Sequence, residues 1–179
     1  MRSLLLLASC LVLLTGPARA DSIALYRDLN ADVCATPSLP FQPHTVYVFH
    51  ELSTGATGSS WRIENTSGML ALGSSCDGLS ITGDPYTGIA LSYGSCLTGT
   101  FAICELVLMK LTSDPIPGCY QLRVLGFPGD SPMAVDCSDN PIAAGGGFFT
   151  FDFEGKINCW DCSTPVESTT WGRVRAMYR

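Results

Sequence analysis

Charge is scarce in this sequence: Asp, Glu, Lys and Arg together make up 15% of its 179 residues, against about 25% in soluble domains generally. Histidine is scarcer, with only His44 and His50. No stretch approaches the ~20 apolar residues that a membrane-spanning helix needs. No block recurs at a fixed spacing, no linker divides the body, and neither a Gly-x-Ser-x-Gly turn nor an Asp-x-Asp-x-Asp-Gly loop occurs. These absences exclude a repeat array, a transmembrane segment in a processed chain, the nucleophile elbow of common hydrolases and the familiar calcium loop.

What is present begins with "MRSLLLLASCLVLLTGPARA", in which Arg2 precedes an apolar run from Leu4 to Leu14, then Gly16-Pro17 and the small-x-small triplet Ala18-Arg19-Ala20. That is the layout of a signal peptide, residues 1–20, cleaved before Asp21. The alternative is a lipobox at Leu7-Ala8-Ser9-Cys10, but the apolar run continues past Cys10. The remaining chain has sixteen acidic residues against the eight basic ones left after Arg2 and Arg19, a net charge of −8. Residues 164–179 reverse the sign: Arg173, Arg175 and Arg179 against Glu167 give +2, leaving −10 on the body. An acidic body argues against nucleic acid as a partner.

Eight cysteines follow the export signal: Cys34, Cys76, Cys96, Cys104, Cys119, Cys137, Cys159 and Cys162. An even count in an exported chain implies up to four disulfides, and eight cysteines allow ~105 connectivities.

Short segments of strand character, bounded by Gly, Asn, Asp and Ser, recur through the body. They include "SIALYRD", "HTVYVFHEL", "SSWRIEN", "GMLALG", "LSITG", "TGIALSYG", "GCYQLRVLGF", "PMAVDC" and "GGFFTFDFEG". "PSLPFQP" is too proline-rich for a central strand. In the last strand Phe149, Phe151 and Phe153 fall on one face. The run "TFAICELVLMKL" is apolar on both alternating faces, as in a strand covered on both sides or bent between sheets. About ten strands with no long helix predict an all-β sandwich of the immunoglobulin-like kind over 21–163.

The order "TVYVF", "GIALSYGSCL", a long apolar strand, "CYQLRVLGFPGDSPMAVDC" and a Gly-rich approach to the last strand resembles cohesin-like β-sandwich modules of secreted bacterial proteins. With the ending "TPVESTTWGRVRAMYR", it is more similar to an uncharacterised group of small exported bacterial proteins. The resemblance implies a disulfide-stabilised cohesin-like sandwich and an extracellular or cell-surface location. It supplies no chemistry: no dockerin-contacting residue can be matched, and the cysteine density departs from cohesins proper.

Cys159-Trp160-Asp161-Cys162 is a CxxC, the spacing of thiol-disulfide oxidoreductases and of zinc sites. Its neighbours supply no cation to activate a thiol, and no second close pair completes a zinc set, so structural bridges are the expectation. His44 and His50 fall on one face of a strand and are expected at the surface without a catalytic role. The acidic clusters Asp136 to Asn140 and Asp152 with Glu154 gather calcium-type oxygens without the loop that calcium favours. No metal and no cofactor are expected.

Residues 164–179 read as a short C-terminal amphipathic helix. At ~100° per residue Trp171, Val174, Met177 and Tyr178 share about a third of the circumference, with Arg173, Arg175 and Arg179 outside that arc. Trp171, Arg173, Val174, Arg175, Tyr178 and Arg179 are the candidate binding residues, for a protein partner or a surface-sorting machine. The resulting expectation is a non-catalytic exported structural or binding module. The alternative is an exported enzyme, either a Cys159/Cys162 oxidoreductase or a hydrolase with a site assembled from loops.

Overall fold

The computed structural model describes residues 21–51, 54–112, 120–127, 129 and 131–152. Among them the chain forms thirteen strands and no helix. These are β1 (Ser22–Tyr26), β2 (Ala35–Pro37), β3 (Pro43–Glu51), β4 (Ala56–Asn65), β5 (Leu70–Cys76), β6 (Ser80–Asp84) and β7 (Gly88–Leu97). β8 (Thr100–Met109), β9 (Tyr120–Leu125), β10 (Met133–Asp136), β11 (Pro141–Ala143), β12 (Gly145–Gly146) and β13 (Phe148–Asp152) follow. Every segment with apolar alternation became a strand. Short β2, β11 and β12 carry no alternation of their own and exist only because a neighbour offers backbone partners.

Two sheets pack face to face. The smaller has the order β12-β1-β3-β8-β5; the larger runs β11-β10-β4-β9-β13-β2, with β7 on the other side of β4 and β6 beyond β7. Trp61 and Ile63 of β4, Leu122 and Val124 of β9, and Phe149 and Phe151 of β13 meet Ile23, Val46, Val48, Leu106 and Leu108 of the smaller sheet in one buried core. Period-two alternation produces this directly: Arg62 and Arg123 lie between buried neighbours and point away. Strand β1 is buried on both faces, since Ala24 and Tyr26 join Phe49 and Cys34 in a second cluster behind the smaller sheet. The adjoining 28–33 turn is held by the Asp28 carboxylate, which accepts the N–H groups of Asn30 and Val33 at 2.9 and 3.0 Å.

A β-bulge explains the two-faced apolar run in β8. Val48 of β3 pairs with Cys104 and the next residue, Phe49, pairs with Ala102, so Ile103 is an extra residue. Before the bulge in β8 Phe101, paired with His50, faces inward; after it the inward residues are Cys104, Leu106 and Leu108. Ile103 is buried as well, while Glu105 is exposed. The run is covered on both sides for part of its length because the strand changes phase within it.

The chain crosses between sheets at 144–147. Gly145 N–H donates to the Asp21 carbonyl, Gly147 N–H to the Ile23 carbonyl, and Val124 N–H to the Gly147 carbonyl, so one short segment serves both sheets. A Cβ at Gly146 would lie 2.2 Å from the Val124 carbonyl oxygen. Gly146→Ala is therefore expected to lower unfolding stability by about 2 kcal/mol, measured by urea titration, because backbone on both sides must yield.

Two disulfides lie within the described residues: Cys76–Cys104 joins β5 to β8, and Cys96–Cys137 joins the end of β7 to the turn after β10. Cys34 is also disulfide-bonded, and because the other four pair among themselves its partner lies outside the described residues. Cys119, Cys159 and Cys162 lie outside them, as does the expected C-terminal helix.

Candidate functional site

His50 overturns the expectation of a surface histidine. Its side chain is fully buried, on the inward face of β3 beside Phe101, with the two rings 5.8 Å apart. His44 does share that face, half-buried, with its ring edge-on to Phe151 at 6.0 Å. Inward placement follows from the register: His44 pairs with Leu108 and His50 with Phe101, both core-facing positions.

A chain of polar groups spans the two sheets at this end of the sandwich. His50 Nδ1 lies 2.8 Å from the Tyr93 hydroxyl, which donates to Ser59 Oγ at 2.6 Å; Trp61 Nε1 also donates to Ser59 Oγ, at 3.3 Å. With the tyrosine proton directed to Ser59, the neutral tautomer that completes the chain carries its proton on Nδ1 and leaves Nε2 unprotonated. Nε2 is buried with no hydrogen-bond partner among the described residues. Burial lowers the His50 pKa to about 4, against the opposing charges of Asp21 and Glu51, and pushes the Tyr93 hydroxyl upward. Ser59, His50 and Tyr93 superficially join a hydroxyl to a base. The geometry denies them that chemistry, because Ser59 is buried, accepts two hydrogen bonds, and is separated from the imidazole by a tyrosine that donates to it. The hydrolase alternative gains no site from this group. Nothing in the sequence spacing links Ser59, His50 and Tyr93, which only the sheet packing brings together.

Beside this group a cleft of about 290 Å³ opens at the sandwich edge. Leu79, Tyr93, Leu97, Phe101 and Ile103 line it, with Asp77 contributing its carboxylate-bearing residue. The Tyr93 hydroxyl is already engaged, so the lining offers shape and apolar contact rather than an acid–base pair.

The sequence-derived candidates fare unevenly. The Asp136 carboxylate accepts the Ser138 and Asn140 N–H groups, each at 2.8 Å, and the Asn140 side-chain amide, so it caps its own turn. These hydrogen bonds, the Asn140 backbone one foremost, hold the Asp136 pKa below the ordinary carboxylate range. Cys76, Cys96, Cys104 and Cys137 each sit in a disulfide. Among the described residues no three His, Cys, Asp or Glu side chains converge on a metal-sized site. The Cys159/Cys162 pair, Glu154, and the tail residues Trp171, Arg173, Val174, Arg175, Tyr178 and Arg179 lie outside the described residues.

The outward face of the larger sheet is open and polar. Arg62 and Glu64 on β4, Arg123 and Gln121 on β9, and Thr82 on β6 occupy outward positions. Glu64 sits directly opposite Arg123, and Arg123 Nε donates to Gln121 Oε1 at 2.9 Å. The face thus carries charges of both signs, while Cys96–Cys137 ties β7 to the turn after β10 near the start of β4.

No protein-family model and no curated protein matches the chain in sequence. Solved structures share its architecture. The cohesin module of a family 33 glycoside hydrolase from Clostridium perfringens superposes with a TM-score of 0.53 at 9% identity, covering 75% of this chain and 98% of that one. A chain of a type I cohesin–dockerin complex from Clostridium thermocellum gives 0.51 at 8% identity, covering 75% and 94%. The sandwich therefore has a cohesin-like fold. Among the described residues no helix is long and apolar enough to cross a membrane.

Proposed function

We propose that this chain is an exported, non-catalytic protein-binding module that works outside the cell or at its surface. The observation that carries the proposal is the mixed-charge outward face of the larger sheet, where Arg62 and Glu64 of β4 lie beside Arg123 and Gln121 of β9 over a packed core. The cohesin-like fold supports the same reading, since one similar structure is a cohesin–dockerin complex, in which a sandwich of this kind engages another protein. The signal-peptide layout of residues 1–20 and the disulfides fit an oxidising compartment. The C-terminal segment, with Trp171, Arg173, Val174, Arg175, Tyr178 and Arg179, is a second candidate contact, for a protein partner or a sorting machine.

The test uses the oxidised chain 21–179 as bait for proteins of its own extracellular fraction, beside the double variant Arg62→Glu, Arg123→Glu and a chain ending at residue 163. A purified partner that binds the wild type and loses about tenfold or more in affinity to the sheet variant, with thermal midpoint unchanged, supports the sheet face. Loss only in the shortened chain moves the contact to the tail. A chain that instead reduces insulin disulfides through Cys159 and Cys162 is an oxidoreductase, and the non-catalytic reading fails.

A further inference from the structure

We propose that an exposed apolar patch formed by Leu39, Phe41 and Leu111 is the seat of this chain's own C-terminal segment, 153–179, docked through Trp171, Val174, Met177 and Tyr178. The inference is independent of whether the sheet face binds a partner.

The patch is built, not incidental. Leu39, Phe41 and Leu111 are 50%, 64% and 48% exposed. Pro40 bridges to Lys110, and Phe41 N–H donates to the Lys110 carbonyl at 2.8 Å, fixing the 39–41 segment against the end of β8 where Leu111 follows. Leu39 N–H donates to His44 Nε2 at 3.3 Å, a second tether. Leu70, 47% exposed and paired with Met109, extends the apolar surface onto the neighbouring face. Phe41 has a φ of 59°, in the left-handed region that bulky side chains avoid. A strained backbone holding a large aromatic ring out toward solvent is a combination that folding alone does not favour. A covering segment gives it a purpose.

The register of β13 names the occupant. β13 runs parallel to β2, with Thr150 beside Ala35, Phe151 beside Thr36 and Asp152 beside Pro37. Parallel strands carry both chains the same way, so β13 ends at Asp152 beside Pro37, two residues before Leu39 of the patch. Phe151 and Leu39 also share the His44 ring as a neighbour. Twenty-seven residues follow Asp152. They are ample to return to a surface that adjoins their point of departure, and closing so short a circuit costs little chain entropy.

The two surfaces suit each other chemically. A helix of about eleven residues with Gly172 near its middle is marginal alone in water and needs an apolar surface to pack on. Its stripe of Trp171, Val174, Met177 and Tyr178 supplies what Leu39, Phe41 and Leu111 lack. The segment 164–179 carries +2 and the body −10, so the long-range field favours association. Docked by its apolar stripe, the segment turns Arg173, Arg175 and Arg179 outward, so of the six tail residues offered above as a partner contact only these three stay available to one, and Trp171, Val174 and Tyr178 are taken by the chain's own patch.

Hydrogen exchange on the oxidised chain 21–179 tests this, comparing wild type with the double variant Leu39→Ser, Phe41→Asn. Asn tolerates positive φ, so the backbone at position 41 is not penalised. The expected result is exchange in 167–179 slowed about tenfold or more relative to unstructured chain in the wild type, lost in the variant, with β3 and β8 unaffected. Exchange at the unstructured rate in the wild type, or equal protection in both, overturns the proposal. So does a concentration-dependent dimer in sedimentation that the variant abolishes, since a second copy would then occupy the patch. Phe41→Gly adds a second reading: with the patch uncovered, relief of the left-handed strain raises the thermal midpoint, whereas with the tail docked the lost contact lowers it.

Discussion

Lowering the pH from 6.5 to about 4 is expected to remove about 3 kcal/mol of folding stability through one side chain, His50, and the variant His50→Gln is expected to keep it. The folded pKa of about 4 lies below the ordinary value of 6.5, chiefly because the ring is buried. Above pH 6.5 the imidazole is neutral in both states and the native environment carries no penalty. As the pH falls, the unfolded chain binds the proton first, so stability declines, and it levels only when the folded ring protonates as well, at about pH 4. A charged His50 would have to donate from Nε2, which has no acceptor among the described residues.

Urea unfolding from pH 7.5 to 4 is the measurement. Two exposed carboxylates do not confuse it. Asp84, whose pKa is lowered first by the Thr87 hydroxyl, and Asp136, lowered first by the Asn140 N–H, contribute stability that disappears only as the pH falls through 3.8 and below. Gln retains a donor for the Tyr93 hydroxyl but cannot titrate, so the variant is expected to show a shallower profile between 6.5 and 4, the remaining decline being that of half-buried His44, whose pKa burial also lowers. Equal slopes in the two proteins would remove His50 as the cause.

The second large effect concerns Cys96–Cys137. The bond closes a loop of 41 residues, and constraint of the unfolded chain alone makes it worth about 4 kcal/mol. The double variant Cys96→Ala, Cys137→Ala is expected to lose that amount, a fall of about 10 °C in thermal midpoint by calorimetry. Its position adds a native-state reason. β7 and β10 flank β4 on opposite sides, so the disulfide passes across the start of β4. A Cβ at Gly55 would lie 2.9 Å from Cys137 Sγ, which accounts for glycine at that point. If the variant retains the wild-type midpoint while mass analysis shows Cys76 and Cys104 still paired, the bond has no role in stability.

Strand positions were legible in the sequence because alternation is local. "SSWRIEN" declares Trp61 and Ile63 as one face and Arg62 and Glu64 as the other wherever the strand is placed, and the structure obeys it. The same holds for Leu122 and Val124 against Arg123 and for Phe149 with Phe151. The two-sided apolar run of β8 was legible as an anomaly, but its cause was not, because a bulge is a mismatch between two strands and belongs to neither alone. The candidate site was less legible. His50 was misread as a surface residue because its neighbours along the chain say nothing about Tyr93 and Phe101, which reach it from β7 and β8.

By itself the sequence determined a β-rich chain with an acidic body and a basic end, since composition and short-range periodicity are properties of the chain wherever it goes. Tertiary structure alone decided that Cys76 meets Cys104 and Cys96 meets Cys137, that a histidine is buried with one nitrogen unpartnered among the described residues, and that the segment bearing Leu39 and Phe41 is bridged to the end of β8, beside which β13 ends. Those outcomes depend on contacts between residues tens of positions apart, and a contact of that kind leaves no mark in the order of residues until the sheets have closed on each other.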